Sequence, residues 1–252
     1  MLSSAAKSHP GRVRATNEDA VIADDGLALF AVADGLGGHQ GGEVASRITI
    51  DTITAFVNSS RHDSTITWPY GFDPDISFEG NQLQNAVLLA DRQIRHRAER
   101  EPEHAGMGST VIAVMVGEGR AWFVAVGDSR LYRWRQDTLT QLSEDDTWVA
   151  AMARAGATAG SVRHHKMRHM LTRALGSVAG VETRAHDVPL DAADLLLLCS
   201  DGLHVPLGDD GIARLLGAPS ADLEATASAL IDAANAAGGP DNVTVVLVRR
   251  LI

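Results

Sequence analysis

The chain has a single cysteine, Cys199, among its 252 residues, which excludes a disulfide framework within it. Cys199 lies inside an apolar run, where a thiol reads as a small buried hydrophobe rather than a nucleophile. Long hydrophobic runs are also missing. The densest, residues 195–199, falls far short of the ~20 apolar residues that span a bilayer. The opening residues lack the apolar core of a signal peptide. Positive charge is in deficit, 22 Lys and Arg against 32 Asp and Glu, and the net charge of -10 argues against nucleic acid bound by general electrostatics. Internal repeats, low-complexity tracts and linkers are absent, so one domain over 1–252 is the expectation. These absences predict a soluble cytoplasmic protein with no membrane insertion.

What the chain does contain is a stretch, residues 27–46, in which an apolar run ends abruptly in Asp34. A loop carrying Gly35, Gly37, Gly38, Gly41 and Gly42 follows, and then a helical pattern. A carboxylate at the end of a buried strand costs free energy unless a cation is bound there. Asp128 and Asp201 also directly follow apolar strands, and Asp241 precedes one. Each has a glycine within two residues. Any one of them alone reads as a turn. Strand ends of one sheet system share a rim, so four such carboxylates can converge, and divalent cations remove the repulsion that results. Oxygen-only ligands favour Mg²⁺ or Mn²⁺ over zinc.

Periodicity supplies the rest. Strands are predicted at 21–23, 27–33, 109–116, 121–126, 131–134, 139–143, 183–188, 195–199 and 243–248, with a hairpin turn at Asp24-Asp25-Gly26. Helices are predicted at 43–57, 83–100, 147–155, with Glu144-Asp145-Asp146 as its cap, and from Leu223 to beyond Ala234. Residues 1–10 read as a loose arm and 58–80 as an ordered surface loop. Arg92, Arg95, Arg97 and Arg100 alternate with Glu99 and Glu101 as a solvated face. Residues 156–170 are irregular and basic, and His164, His165 and His169 read as exposed loop residues rather than a metal site.

An ordered set of motifs carries a resemblance. These are Val13-Arg14-Ala15-Thr16-Asn17-Glu18-Asp19, Asp34-Gly35-Leu36-Gly37-Gly38-His39, Gly108-Ser109-Thr110, Gly127-Asp128-Ser129-Arg130, Leu171 to Gly176, Ser200-Asp201-Gly202-Leu203 and Asp241-Asn242. Together they resemble the metal-dependent protein phosphatase 2C family in its compact bacterial form, from Gly11 to about Val248. The resemblance implies an α+β fold, two packed antiparallel β-sheets flanked by α-helices (an α-β-β-α sandwich), with a flap at about 145–170 beside the active site. It implies a protein serine/threonine phosphatase that reverses Ser/Thr kinase signalling. By the same resemblance Asp34 would bridge two Mn²⁺ or Mg²⁺ ions, and Gly35 would give its carbonyl to one of them. Asp201 and Asp241 would complete the first site, and Asp128 with Asp201 would hold a third ion. Glu18 and Asp19 would act through intervening waters. Two ions roughly 3.5–4 Å apart share a water and aim it at phosphorus. Arg14 binds the phosphate oxygens with a charge and fork geometry that Lys lacks.

Departures from the family pattern also count. Leu36 stands where animal members carry a histidine credited as general acid, so no side chain is assigned to leaving-group protonation. His39 reads as a loop-packing residue and Arg130 as a structural brace. Asp146, Lys166 and His169 replace usual residues, which bears on substrate choice rather than catalysis. Phosphorylated proteins, including a Ser/Thr kinase or its substrates, are the implied partners of a monomeric enzyme. The rival readings are a dinucleotide site, which the glycine spacing does not fit, and a catalytically silent phosphoprotein-binding domain on the same fold. Loss of Asp34 or Asp241 would mark the silent domain, and both are present.

Overall fold

The computed structural model describes residues 2–37, 41–62, 66–158, 165–167, 170–218 and 222–250. The first part of the chain forms β1 (Leu2–His9), β2 (Asp19–Asp24), β3 (Leu29–Leu36), α1 (Gly41–His62) and α2 (Phe78–Arg100). A 3₁₀ turn at Pro102–His104 leads to β4 (Gly108–Ser109), β5 (Val111–Val116), β6 (Arg120–Val126), β7 (Arg130–Arg135) and β8 (Thr138–Gln141). Then come α3 (Trp148–Arg154), β9 (His186–Pro189), β10 (Leu195–Cys199), α4 (Asp201–Leu216), α5 (Leu223–Ala236) and β11 (Val243–Arg250).

One antiparallel sheet has the order β1-β11-β10-β7-β8, and the other the order β2-β3-β5-β6-β9 with β4 on the end of β3. Strand alternation explains how they stack. In β10, Leu196 and Leu198 join Phe30, Val32, Ile112 and Val246 between the two sheets. Leu195, Leu197 and Cys199 point the other way, into the apolar layer shared with Leu203, Leu230 and Ala234 of α4 and α5. On the opposite flank Leu29, Ala31 and Ala33 pack against Ile53, Leu83 and Ile94 of α1 and α2. The central strands are covered on both faces, which is why they read as unbroken apolar runs. This is the α-β-β-α sandwich expected from the motifs. Among the described residues, no helix is long and apolar enough to cross a membrane.

The structure corrects three readings. Residues 2–9 are not a loose arm but β1, paired along its whole length with β11 from Leu2↔Arg250 to His9↔Val243. Its small and polar residues hide a strand that only its distant partner specifies. Asp201 also opens a helix, α4, which periodicity misses because Gly202, Pro206, Gly208 and Gly211 interrupt it, and Gly208 breaks helical geometry at φ 63°. Helix α3 is capped by Thr147, whose Oγ accepts from the Ala150 amide, rather than by the acidic triplet before it. His165 stacks on Trp148 with centroids 4.2 Å apart. His39, His164 and His169 lie outside the described residues.

Candidate metal centre

Strand register brings the acidic residues together. Cys199, at the exit of β10, pairs with Arg130 at the entry of β7 and with Val245 near the entry of β11. Asp201, Asp128 and Asp241, each two to four residues from these pairs, therefore meet at one edge of their sheet. In the facing sheet Asp34 lies opposite Asp19. Asp19 ties the two edges, its Oδ2 accepting from Ser200 Oγ at 2.8 Å and Thr244 Oγ1 at 2.6 Å. Between them is a cleft of about 280 Å³ lined by Asp34, Asp128, Asp201 and Asp241, with Glu18 and Arg14 on its walls.

Other residues hold these groups in place. The Asp34 amide donates to Thr110 Oγ1 at 3.1 Å, and its carbonyl accepts from the Thr110 amide and from Ser109 Oγ. Asn242 anchors the loop that carries Arg14: its Nδ2 donates to the carbonyls of Pro10 and Thr16, and its Oδ1 accepts from the Glu18 amide at 2.8 Å. His204, one turn into α4, donates from Nε2 to the Asp128 carbonyl at 3.0 Å, which sets its tautomer. Asp146 accepts from the Gly127 amide and pairs with Arg173 at 2.9 Å. Arg130 grips Asp145 through two guanidinium nitrogens, at 2.9 and 2.7 Å. Gly35 and Gly202 are glycines because of close approach. A Cβ on Gly35 would strike the Gly42 carbonyl, and one on Gly202 the Asn242 carbonyl.

The cleft is electrostatically crowded. Burial, then Asp19, Asp201, Asp128 and Asp241, push the Asp34 carboxyl well above the usual carboxylate range. Burial and then Asp201 raise Asp128 to about 7. Asp19 is also raised to about 7 by burial, against the hydroxyls of Thr244 and Ser200. Burial raises Glu18, with Arg14 opposing. Asp19 Oδ1 is buried and has no hydrogen-bond partner among the described residues. An all-oxygen donor set, an orphaned carboxylate oxygen and carboxyls driven towards protonation fit a hard divalent cation, which would reverse every one of those shifts. Among the described residues, the one trio of possible ligand atoms lying within 4.8 Å of one another is elsewhere, at Glu101, Glu103 and His104, where Arg97 already pairs with Glu101 at 2.7 Å. No three cleft carboxylates come that close, as expected of like charges with nothing between them.

A family model for protein phosphatase 2C matches residues 8–238. The chain belongs to the protein phosphatase 2C family. Within this family it is 37% identical over 248 residues to the serine/threonine protein phosphatase PstP of Mycobacterium tuberculosis, covering 98% of this chain and 45% of that protein. The chain thus spans somewhat under half the length of that relative. It is 33% identical over 251 residues to the serine/threonine phosphatase stp of Listeria welshimeri, covering 95% and 92% of the two chains. The solved catalytic domain of PstP in complex with two manganese ions superposes with a TM-score of 0.83 at 35% identity, covering 100% of this chain and 99% of that one.

The protein phosphatase 2C motifs gather as their order suggests: Arg14, Glu18, Asp34, Gly35, Asp128, Asp201 and Asp241 all line one cleft, with Asp19 behind it. Roles for Thr110, Asn242, His204 and Asp146 were not legible in the sequence. Their partners are distant in the chain, and a neutral polar residue beside a motif carries no signal of what it will bond.

Proposed function

We propose that this chain is a Mn²⁺- or Mg²⁺-dependent protein serine/threonine phosphatase that hydrolyses phosphoserine and phosphothreonine in proteins. The observation that carries the reading is the meeting of Asp34, Asp128, Asp201 and Asp241 in one cleft with Arg14 at its mouth. In this reading Asp34, Asp201 and Asp241 would hold the core ions, with Gly35 offering its carbonyl, and Asp128 with Asp201 would hold a third. Glu18 on the cleft wall and Asp19 behind it would act through water, and the orphaned Asp19 Oδ1 supports that placement. When bound, the ions supply Lewis acidity, offsetting phosphoryl charge and lowering the pKa of water to near neutrality. Arg14 holds the phosphate oxygens, and the 10–18 loop, pinned by Asn242, orients it.

The substrates are phosphorylated proteins, including a Ser/Thr kinase or the proteins it modifies, and the working enzyme is a monomeric catalytic domain in the cytoplasm. The lone, buried Cys199 supports a reducing compartment. Residues 145–170 act as the flap. Support comes from Trp148, whose amide donates to the Met170 carbonyl at 2.8 Å next to Leu171 on the cleft wall. A silent phosphoprotein-binding domain is disfavoured because every carboxylate of the site is present. The deciding experiment is phosphate release from a phosphothreonine peptide. Turnover is expected with Mn²⁺ and none with chelator; turnover left intact in Asp34→Asn would overturn the assignment.

A further inference from the structure

Aromatic residues make up only 4% of this chain, yet five of them, Phe56, Trp68, Tyr70, Phe72 and Phe78, gather where α1 ends and α2 begins. Trp68 is the hub. Its ring meets Phe72 at 5.3 Å, Phe78 at 5.5 Å and Phe56 at 6.1 Å between centroids. Phe56 and Trp68 pack on the apolar layer beneath. Phe72 and Phe78 remain 48% and 44% exposed, and Tyr70 beside them 40%. The 22 residues of α1 start next to the cleft at Gly41 and carry the chain about 33 Å away, so this surface lies far from the carboxylates.

The loop is firmly built. Asn81 and Asn85, both buried on α2, hold its backbone: Asn81 accepts from the Asp73 amide and donates to the carbonyls of Asp73, Ile76 and Ser77. Asn85 accepts from the Tyr70 amide and donates to the Gly71 carbonyl. Residues 66–80 include Asp73, Asp75 and Glu79 and no Lys or Arg. Asp73 pairs loosely with Arg184 at 3.6 Å, whereas Asp75 is exposed and Glu79 half-buried. Asp75 also lines an adjoining hollow of about 240 Å³ with Trp122, His186 and the Arg120–Asp187 ion pair, whose charges offset.

Rigid, half-exposed rings bring large contact area at little entropic cost, and their faces attract cations. We propose that this surface docks a basic segment of a partner protein, whose Arg or Lys side chains lie over Phe72 and Phe78 and pair with Asp75 and Glu79. An acidic segment or an anionic lipid surface would meet like charge here. The proposal does not depend on the phosphatase reading.

The test titrates the Mn²⁺-treated chain by calorimetry with a nonapeptide of alternating Arg and Leu, and with the analogue carrying Glu for Arg. The basic peptide is expected to bind and the acidic one not to. Phe72→Ser with Phe78→Ser should weaken binding at least tenfold, and Asp75→Asn with Glu79→Gln several-fold, with phosphopeptide turnover unchanged in both. The second pair leaves the aromatic cluster intact and so covers the case in which the first pair misfolds. Equal binding by the wild type and both variants, or no binding at all, overturns the proposal. So do binding to anionic phosphatidylglycerol vesicles in place of the peptide, and a wild-type dimer in light scattering that Phe78→Ser dissolves.

Discussion

Arg14 and Asp241, 227 residues apart in sequence, form an ion pair across the mouth of the carboxylate cleft, with Nη2 2.8 Å from Oδ2. The arginine is more than half exposed, so the pair contributes little to stability. In the proposed reading it holds a guanidinium where the phosphate would enter. The same Asp241 carboxylate would be a metal ligand there, so a loaded site would free the guanidinium for substrate. Hydrogen bonds to charged groups are worth about 1.5–3 kcal/mol, which corresponds to about 10- to 150-fold. Arg14→Ala is expected to lower kcat/KM on a phosphothreonine peptide by that factor while leaving thermal stability nearly unchanged. Arg14→Lys should recover only part of it, because a single ammonium cannot match the fork. Unaltered kcat/KM in the alanine variant would remove Arg14 from the site.

The crowded carboxyls make a prediction about pH. Asp19 and Asp128 are raised to about 7 in the fold, against an unfolded aspartate near 3.9. Between those values the folded chain keeps protons that the unfolded chain has released. The stability these groups contribute is therefore fully present below about pH 4 and lost as pH rises to about 7. In chelator, the melting temperature is expected to fall over that window. Saturating Mn²⁺, which favours the ionised carboxylates, should remove the slope. At a hundredfold excess over Kd each bound ion adds about 2.7 kcal/mol, or about 5–10 °C for a chain of this size. A melting curve indifferent to Mn²⁺ at pH 7 would count against the centre.

Thr110 gives a cleaner mutation than any carboxylate. It is fully buried, accepts from the Asp34 amide and shares a hydrogen bond with Ser129 Oγ at 2.7 Å. Thr110→Val keeps the shape and removes the hydroxyl, leaving Ser129 and the Asp34 amide short of a partner. Stability is expected to drop by about 1–3 kcal/mol. The concentration of Mn²⁺ giving half-maximal turnover should rise, because Asp34 is no longer held in register. If stability falls while the Mn²⁺ requirement does not move, Thr110 supports the core and not the site.

The sequence showed the carboxylates because each one interrupts a hydrophobic pattern. β10 reads Leu-Leu-Leu-Leu-Cys because both its faces are covered, and Asp201 follows within two residues of its end. The same logic finds Asp34 and Asp128. It fails for β1, whose Ser, Ala and Lys residues acquire strand character only by pairing with β11. It fails for α4, where Gly202 is needed so that the helix can approach Asn242, and where Pro206 and Gly208 mask the periodicity. Asn242 and Thr110 were legible as parts of motifs but not as anchors, because their partners Glu18 and Asp34 are 224 and 76 residues away.

His204 links two of the assigned ligands without being one of them. It sits on α4 three residues after Asp201 and donates from Nε2 to the carbonyl of Asp128 at 3.0 Å. Burial, and then the Arg130 charge, lower its pKa to about 4, so the ring is a neutral donor at working pH and its hold on the loop does not change between pH 6 and 8. Removing the donor leaves a carbonyl unsatisfied beside the Asp128 side chain and frees the loop to drift from Asp201. A hydrogen bond of this kind is worth about 0.5–1.5 kcal/mol, so His204→Ala is expected to weaken Mn²⁺ binding at the Asp128 and Asp201 position by up to about tenfold. Binding at the Asp34 and Asp241 positions should be unaffected. Calorimetric or paramagnetic resonance counting of bound Mn²⁺ separates the two classes without recourse to turnover. His204→Gln, which can still present a donor, should restore part of the lost affinity. Equal loss in the alanine and glutamine variants would mean that the ring's packing matters and its N–H does not.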